Sequence, residues 1–277
     1  MGNKIISEQR DFWNKASTHW KKWNKFIMAW HGPAGKKIIE LAEIKPSDIV
    51  LDIATGAGEP GLSAASLAKK VTGIDISKDM VNAANEFAKL KDVKNYSAEL
   101  YDGTKFPFSN ESFDATISRN GIIFFPDLKK AMHETMRVLK PGGRFVFSGW
   151  GPPENNDSGF IVRKIVTDIL NEPLAPLDAP GPFRFSKKGS IYTMLSDAGF
   201  RDVNEIDLRG TVKFDSAEHY CQYLCETQMT IIEAIEKSGI QLANKIKSAV
   251  FEYVKPYINN EQLEFKWHAV IGYGLKS

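Results

Sequence analysis

Apolar and polar residues follow two different periods along the chain, and their alternation predicts strands separated by helices. Short apolar-rich runs such as 49–53, 71–76 and 144–148 have the length of buried strands. Between them, apolar residues recur every three or four positions, as in amphipathic helices. Such an order favours an α/β fold with a mostly parallel sheet covered on both faces. The predicted strands are 49–53, 71–76, 94–98, 113–118, 144–148, 203–208 and 265–273.

The N-terminal segment has a different pattern, because its helical stripe is aromatic. Over residues 12–30 the stripe consists of Trp13, Ala16, Trp20, Trp23, Ile27 and Trp30, and the lysines point largely away from it. We expect residues 1–45 to form an N-terminal cap that packs this face on the main domain. The alternative is peripheral contact with a membrane surface, which Trp and Lys also suit. His31-Gly32-Pro33 is predicted to break the helix.

The run 52–61 (DIATGAGEPG) reads as the end of a strand, a glycine turn and the start of a helix. Gly56 and Gly58 allow a sharp turn, and Pro60 suits the first turn of the next helix. The unpaired N–H groups at that helix start would face a ligand over the turn. The sequence therefore predicts a nucleotide-cofactor site here.

Two cofactors compete for this turn. Gly56-x-Gly58-x-x-Gly61, followed by Asp75, also has the spacing of a dinucleotide fingerprint. However, Asp52 and Glu59 place two carboxylates where a pyrophosphate needs donors. S-adenosylmethionine carries an ammonium and a sulfonium and has no phosphate, so the charges favour it over NAD.

Two further segments complete a recognisable set of motifs: the loop 102–114 (DGTKFPFSNESFD) and residues 137–143 (RVLKPGG) before the fifth strand. Together with the glycine turn and Asp75, they resemble class I S-adenosylmethionine-dependent methyltransferases, especially the group around ubiquinone and menaquinone C-methyltransferases (methyltransferase type 11). The resemblance is good over residues 48–150. It implies a Rossmann-like core over 46–277, with a seven-stranded sheet whose last strand is antiparallel.

The resemblance also implies roles for particular residues. Asp52, Gly56 and Gly58 would hold the methionine end of S-adenosylmethionine, Asp75 the ribose hydroxyls, and Asp102 and Gly103 the adenine. Thr55, Ile76, Ser118 and Arg119 complete the predicted cofactor-binding set. A carboxylate can accept from two hydroxyls, which agrees with the role of Asp75.

The acceptor side is less defined by sequence. Asn120 ends the fourth strand and is a candidate for holding a reacting group, although a turn residue before Gly121 explains it equally well. The candidate bases are His19, His31, His219 and His268, of which His19 and His268 are retained as site candidates. A base is optional, because holding methyl and acceptor in line can by itself supply ~7–11 kcal/mol.

Aromatic residues indicate the kind of acceptor. Trp13, Trp20, Trp23 and Trp150 are predicted to bind a small, flat and apolar molecule, methylated on carbon, oxygen or nitrogen, since aromatic walls favour planar guests. A proline-rich loop insertion at 151–186 would border the same site. A helical lid insertion at 216–262 is expected to begin at Ser216 and to be interrupted at Gly239.

Composition mainly excludes other classes. Lys+Arg 36 against Asp+Glu 34 gives a net charge of +2 over 277 residues, so electrostatics give no support for a nucleic-acid partner. The two cysteines have no metal-ligand spacing and are expected to be core thiols in the reducing cytoplasm. We predict no metal and no transmembrane segment, and nothing indicates an oligomeric state. The remaining alternatives are a non-catalytic module that binds S-adenosylmethionine and an NAD-dependent oxidoreductase.

Overall fold

A computed structural model describes residues 2–171, 173–259 and 262–277. They form an α/β fold around one sheet with the strand order β3-β2-β1-β4-β5-β8-β6, and the short β7 pairs with β8. Strands β1 to β5 are parallel, and β8 runs antiparallel to both β5 and β6. The predicted seven-stranded, mostly parallel sheet with an antiparallel last strand is confirmed. The strands are β1 (Ile49–Ile53), β2 (Lys70–Asp75), β3 (Tyr96–Leu100), β4 (Phe113–Arg119), β5 (Leu139–Trp150), β6 (Arg201–Phe214), β7 (Ile258–Asn259) and β8 (Gln262–Leu275).

Helices cover both faces of the sheet, and their ends follow local sequence signals. Ser77 caps α4 by accepting from the backbone N–H of Met80, and Ser216 caps α8 in the same way from His219. Gly239 interrupts α9 with φ 76° and ψ −172°, as predicted. The helices are α1 (Gly2–Lys22), α2 (Asn24–Ala42), α3 (Gly61–Ala64), α4 (Lys78–Leu90), α5 (Leu128–Val138), α6 (Asp157–Leu170), α7 (Ser190–Asp197), α8 (Ala217–Thr227) and α9 (Met229–Val254).

The predicted helix break at His31-Gly32-Pro33 is wrong. Helix α2 runs through these residues, and the break lies earlier, at Trp23 between α1 and α2. Pro33 costs the helix one hydrogen bond, but the next turn is buried against the glycine-turn region. A Cβ built on Gly35 would lie 3.4 Å from the Pro60 Cβ and 3.6 Å from the Arg119 side chain. Tertiary packing therefore overrides the local breaker signal.

The late helices pack against the last two long strands, β6 and β8. Strands β6 and β8 pair from Arg201↔Leu275 to Phe214↔Leu263. The parts of β6 and β8 near Phe214 and Leu263 form an apolar cluster with α2, α6, α8 and α9. Tyr220 and Phe265 are buried in this cluster. Residue 172, within the predicted loop 151–186, and residues 260 and 261, within the predicted lid 216–262, lie outside the described residues.

The described part of the chain contains neither a membrane-spanning helix nor a cluster of metal-binding side chains. Its helices include none with the length and apolar character needed to cross a bilayer. Its His, Cys, Asp and Glu side chains include no group of three placed to hold a metal ion.

Candidate functional site

Asp52 lies at the carboxyl end of β1 and is fully buried. Its Oδ2 accepts from the Thr55 hydroxyl at 2.6 Å and from the Gly61 N–H at 3.0 Å. Its Oδ1 has no donor among the described residues. Burial raises the pKa of Asp52 to about 7, against the opposing effect of the bond from Thr55. The site therefore contains a buried acceptor atom that suits a donor or cation.

Asp75, at the end of the neighbouring strand β2, is also buried. Its Oδ2 accepts from the Gly56 N–H and its Oδ1 from the Ser77 N–H, both at 2.9 Å. Burial raises its pKa to about 6. Each oxygen keeps a further lone pair, so Asp75 both holds the turn and can accept from ligand hydroxyls.

The two glycines of the turn differ in their surroundings, because Gly56 borders open space and Gly58 is tightly packed. A Cβ on Gly56, at φ 53°, would meet no atom within 4 Å. A Cβ on Gly58, at φ 103°, would lie 2.7 Å from the Leu62 Cδ1. Thr55 faces the core between Asp52 and Tyr96, whose hydroxyl is 2.9 Å away. It thus positions Asp52.

Glu59 is held at the start of α3 and is paired with a lysine. Its side chain accepts from the Ser63 N–H at 3.1 Å and pairs with Lys91 at 2.7 Å. Its charge is balanced by Lys91, so the argument against a pyrophosphate depends on the buried carboxyls Asp52 and Asp75.

The loop after β3 packs closely against α1 and against the residue that follows β2. A Cβ on Gly103 would lie 2.8 Å from the Ile6 Cγ2 and 3.0 Å from the Ile76 Cδ1. Asp102 is exposed, and its Oδ1 accepts from the backbone N–H and the hydroxyl of Thr104 at 2.7 and 2.6 Å. These bonds hold the pKa of Asp102 below its usual value. Asp102 here stabilises its own turn, while Gly103 lies close to the side chains of Ile6 and Ile76.

The end of β4 contributes a cation. Arg119 donates to the Met28 sulfur at 3.4 Å and forms no ion pair with the carboxylates of the described residues. Burial lowers its pKa, and the charges of Asp52 and Glu59 oppose that shift. Ser118 is buried, and its hydroxyl donates to the Ile53 carbonyl at 2.8 Å, so it acts in the sheet.

Asn120 follows in a turn conformation with φ 56°. Its Oδ1 accepts from the Ser148 hydroxyl at 2.8 Å, and its N–H lies 3.2 Å from the Ser148 carbonyl. Asn120 therefore joins the ends of β4 and β5.

These groups fit S-adenosylmethionine. Among the described residues, one oxygen of Asp52 has no donor, and the Arg119 guanidinium is paired with no carboxylate. An amino-acid end, with its ammonium and carboxylate, satisfies both. The carboxylate of Asp75 suits the hydroxyls of a ribose. A pyrophosphate would instead face two buried carboxyls.

Helix α1 lies across the loops of this site. Gln9 donates to the Phe124 carbonyl at 2.7 Å, and Arg10 donates to the Asp102 carbonyl at 3.0 Å. Asn14 accepts from the Ser77 hydroxyl at 2.7 Å. The helix is thus bonded to the segments that follow β2, β3 and β4.

An aromatic cluster continues from α1 to β5. Trp13 contacts Phe124 and Trp20, with ring centroids 5.4 and 5.7 Å apart. Trp20 lies 6.3 Å and Trp150 lies 5.2 Å from His31. The structure therefore brings together the predicted Trp13, Trp20 and Trp150.

The sequence did not identify two neighbours of the site, Met28 and Phe124. Trp30 is a further neighbour, and the sequence already placed it in the aromatic stripe. Met28 and Phe124 carried no sequence signal, because only the packing of α1 and α2 on the loop after β4 brings them to the site.

Other predicted residues lie elsewhere. Trp23 donates to Glu226 at 2.6 Å and stacks on His219 at 5.0 Å, on the side of α8. His19 Nδ1 lies 3.6 Å from the same Glu226. Neither side chain is brought to the glycine turn.

His268 lies on β8 with both ring nitrogens occupied. Its Nε2 is 2.6 Å from Asp207 Oδ1, and its Nδ1 is 3.3 Å from the side-chain amide of Asn155. Through its contact with Asn155, His268 holds the loop that follows β5 against β8.

Comparisons with known proteins agree with the geometry. Residues 44–173 match a family model described as a methyltransferase domain. An uncharacterised methyltransferase of Bacillus subtilis, YcgJ, is 36% identical over 181 residues, covering 65% of this chain and 67% of that protein. Its crystal structure has a TM-score of 0.58 at 23% identity, covering 89% of this chain and 99% of that one.

Two further proteins are similar. The demethylmenaquinone methyltransferase of Thermus thermophilus is 32% identical over 137 residues, covering 49% of this chain and 62% of that protein. A putative methyltransferase from Bacillus halodurans has a TM-score of 0.60 at 23% identity, covering 87% of this chain and 98% of that one. The chain belongs to the family of S-adenosylmethionine-dependent methyltransferases, which confirms the predicted family and its cofactor.

Proposed function

We propose that this protein transfers the methyl group of S-adenosylmethionine to a small, flat and apolar acceptor that lies beneath α1 and α2. The observation that carries the proposal is the aromatic cluster of Trp13, Trp20 and Trp150 beside the polar groups of the glycine turn. The rings of this cluster lie edge to face with one another. A planar aromatic guest that packs against them would gain ~0.5–1.5 kcal/mol for each pair of guest and ring.

The protein's own residues would mainly bind and position. Asp52 and Arg119 hold the amino-acid end, Asp75 the ribose, and Ile76 and Gly103 border the base. The bound cofactor supplies an activated methyl group. Orientation of the two reactants can then supply ~7–11 kcal/mol of the barrier, so a dedicated base is not required.

Helix α1 would exclude water from the reacting groups. Its bonds to the segments after β2, β3 and β4 support a role as a cover over the cofactor. A closed cover protects a sulfonium from side reactions and completes the acceptor site.

The names of similar proteins support the same class. YcgJ is named a methyltransferase, and the Thermus thermophilus relative is named for demethylmenaquinone. An acceptor of that kind, with a flat apolar ring, is compatible with the aromatic cluster. We place the protein among methyltransferases of small molecules.

The test has a binding arm and a turnover arm. Calorimetry should show binding of S-adenosylhomocysteine and S-adenosylmethionine and none of NAD. Release of S-adenosylhomocysteine is then screened with flat phenols, quinols and aromatic amines, using Gly58→Val as the inactive control. Preferential NAD binding would overturn the cofactor assignment. Tight cofactor binding without turnover, together with a co-purifying protein, would favour the non-catalytic module.

A further inference from the structure

His31 lies on α2 at the centre of three indole rings. The ring centroids of Trp30, Trp150 and Trp20 are 5.0, 5.2 and 6.3 Å from that of His31, with interplanar angles of 85°, 78° and 78°. Within the described chain, the ring nitrogens of His31 make no hydrogen bond, and the residue is partly exposed. The imidazole of His31 is therefore surrounded by indole rings, and its acceptor nitrogen has no hydrogen-bond partner among the described residues.

Two donors beside His31 are also unused. The indole N–H groups of Trp20 and Trp30 are buried, and no acceptor for them exists among the residues that the structure describes. A buried donor without a partner keeps the full cost of its desolvation. A ligand oxygen among these rings would remove that cost.

The charges around His31 select the kind of ligand. Burial, with a further contribution from the Arg119 guanidinium, lowers the pKa of His31 to about 3. The imidazole is therefore neutral at physiological pH, with one nitrogen as donor and one as acceptor. The same guanidinium repels a cationic guest, and the three indoles carry no charge to balance one.

We propose that His31 is the residue that selects the acceptor, and that the acceptor is a flat apolar molecule bearing a hydroxyl group, such as a phenol or an enol. The hydroxyl donates to the imidazole of His31 and accepts from the indole N–H of Trp30. This inference rests on the proposed methyltransferase function and narrows its acceptor to hydroxyl-bearing compounds. It makes His31 a specificity-determining residue, with no proton transfer required of it.

The test compares three probes of nearly the same shape, in the presence of S-adenosylhomocysteine: 1-naphthol, 1-methylnaphthalene and 1-naphthylmethylammonium. Calorimetry measures each dissociation constant. The wild-type protein should bind 1-naphthol about tenfold more tightly than 1-methylnaphthalene, as a buried hydrogen-bond pair predicts. The ammonium probe should bind most weakly.

Variants separate recognition from folding. His31→Phe keeps a flat ring in the cluster and should abolish the preference for 1-naphthol, while His31→Gln, which keeps an acceptor, should restore part of it. His219→Phe is the matched control, because His219 also lies among aromatic rings, but beside Trp23 and Phe26. Unchanged S-adenosylhomocysteine affinity shows that each variant is folded.

Several results would overturn the inference. They are equal binding of 1-naphthol and 1-methylnaphthalene by the wild type, no binding of either, or an unchanged preference in His31→Phe. If S-adenosylhomocysteine still binds and another acceptor, such as an amine, is methylated, the proposed function stands and only the role of His31 is lost. A wild-type protein that does not bind S-adenosylhomocysteine would instead remove the proposed function.

Discussion

The carboxylate of Asp75 accepts the backbone N–H of Gly56 at 2.9 Å, which ties the end of β2 to the glycine turn after β1. Asp75 is therefore both a predicted ligand for ribose hydroxyls and a support for the turn. This relationship makes its substitution more damaging than the loss of a ligand contact alone.

Asp75→Ala should weaken binding of S-adenosylhomocysteine at least about tenfold, because each hydrogen bond to a charged acceptor is worth ~1.5–3 kcal/mol. Calorimetry measures the change. Asp79→Ala is the matched control, since Asp79 is exposed in the first turn of the adjacent helix α4. Equal affinities of the two variants would contradict the role of Asp75.

Cofactor affinity should depend on pH through the two buried carboxyls. The pKa values of Asp52 and Asp75 are raised to about 7 and about 6, so both groups are largely protonated in the free protein at about pH 5. An ammonium near Asp52 and hydroxyls on Asp75 favour the ionised forms. Affinity should therefore rise as pH increases towards 7 and level off above it, by up to about tenfold per pH unit for each coupled proton.

The sign is opposite for the stability of the free protein. Because both folded-state pKa values are raised above the ordinary value for aspartate, these groups stabilise the fold fully below about pH 4, and that contribution is lost as pH rises through 6 to 7. Asp52→Asn should remove the part of the affinity profile near pH 7 and leave the part near pH 6. A flat affinity profile in the wild-type protein would count against both carboxyl contacts.

Arg119→Met should weaken S-adenosylhomocysteine binding about tenfold or more, because a carboxylate would lose its buried guanidinium partner. Methylthioadenosine, which lacks the amino-acid end, provides the control ligand and should bind both proteins alike. Arg119→Lys should recover part of the loss by keeping the charge. If methylthioadenosine binding falls to the same extent, Arg119 has a general structural role and does not bind the carboxylate.

Gly58→Val should abolish cofactor binding, since its Cβ would lie 2.7 Å from Leu62 and its φ is 103°. Gly142→Val tests backbone strain alone, because Gly142 also has a positive φ of 76° but open space around its Cβ. Both variants should lower the melting temperature, and only Gly58→Val should lose S-adenosylhomocysteine. Loss of binding in both would point to global destabilisation.

Removal of residues 1–22 deletes α1 and leaves α2, which contacts Arg119 through Met28. S-adenosylhomocysteine affinity should stay within a few-fold, while methyl transfer should be lost because Trp13 and Trp20 are removed with the cover. Calorimetry and a turnover assay on the same preparations measure the two effects. A truncated protein that transfers methyl groups at the full-length rate would contradict the proposal. If the melting temperature and the cofactor affinity fall together, the role of α1 is to stabilise the fold.

The sequence by itself determined the sheet, the glycine turn and several helix ends, because these depend on local features. Ser77 and Ser216 cap helices through bonds to the third residue that follows, and Gly239 breaks α9 within one helical turn. The positions of Asp52 and Asp75 at the carboxyl ends of neighbouring parallel strands also follow from strand order. Such features are encoded within a few residues of where they act.

Only the tertiary structure decided which side chains face the site. Helix α2 continues past Pro33 because its next turn is buried against Pro60 and Arg119. The aromatic stripe does not face one partner: Trp13 and Trp20 lie over the site, whereas Trp23 donates to Glu226. The pairing of His268 with Asp207 and the isolation of His31 among indoles each depend on residues far apart in the chain. The pattern of one helix specifies an apolar face, but the partner of each residue on that face is set by the packing of distant elements.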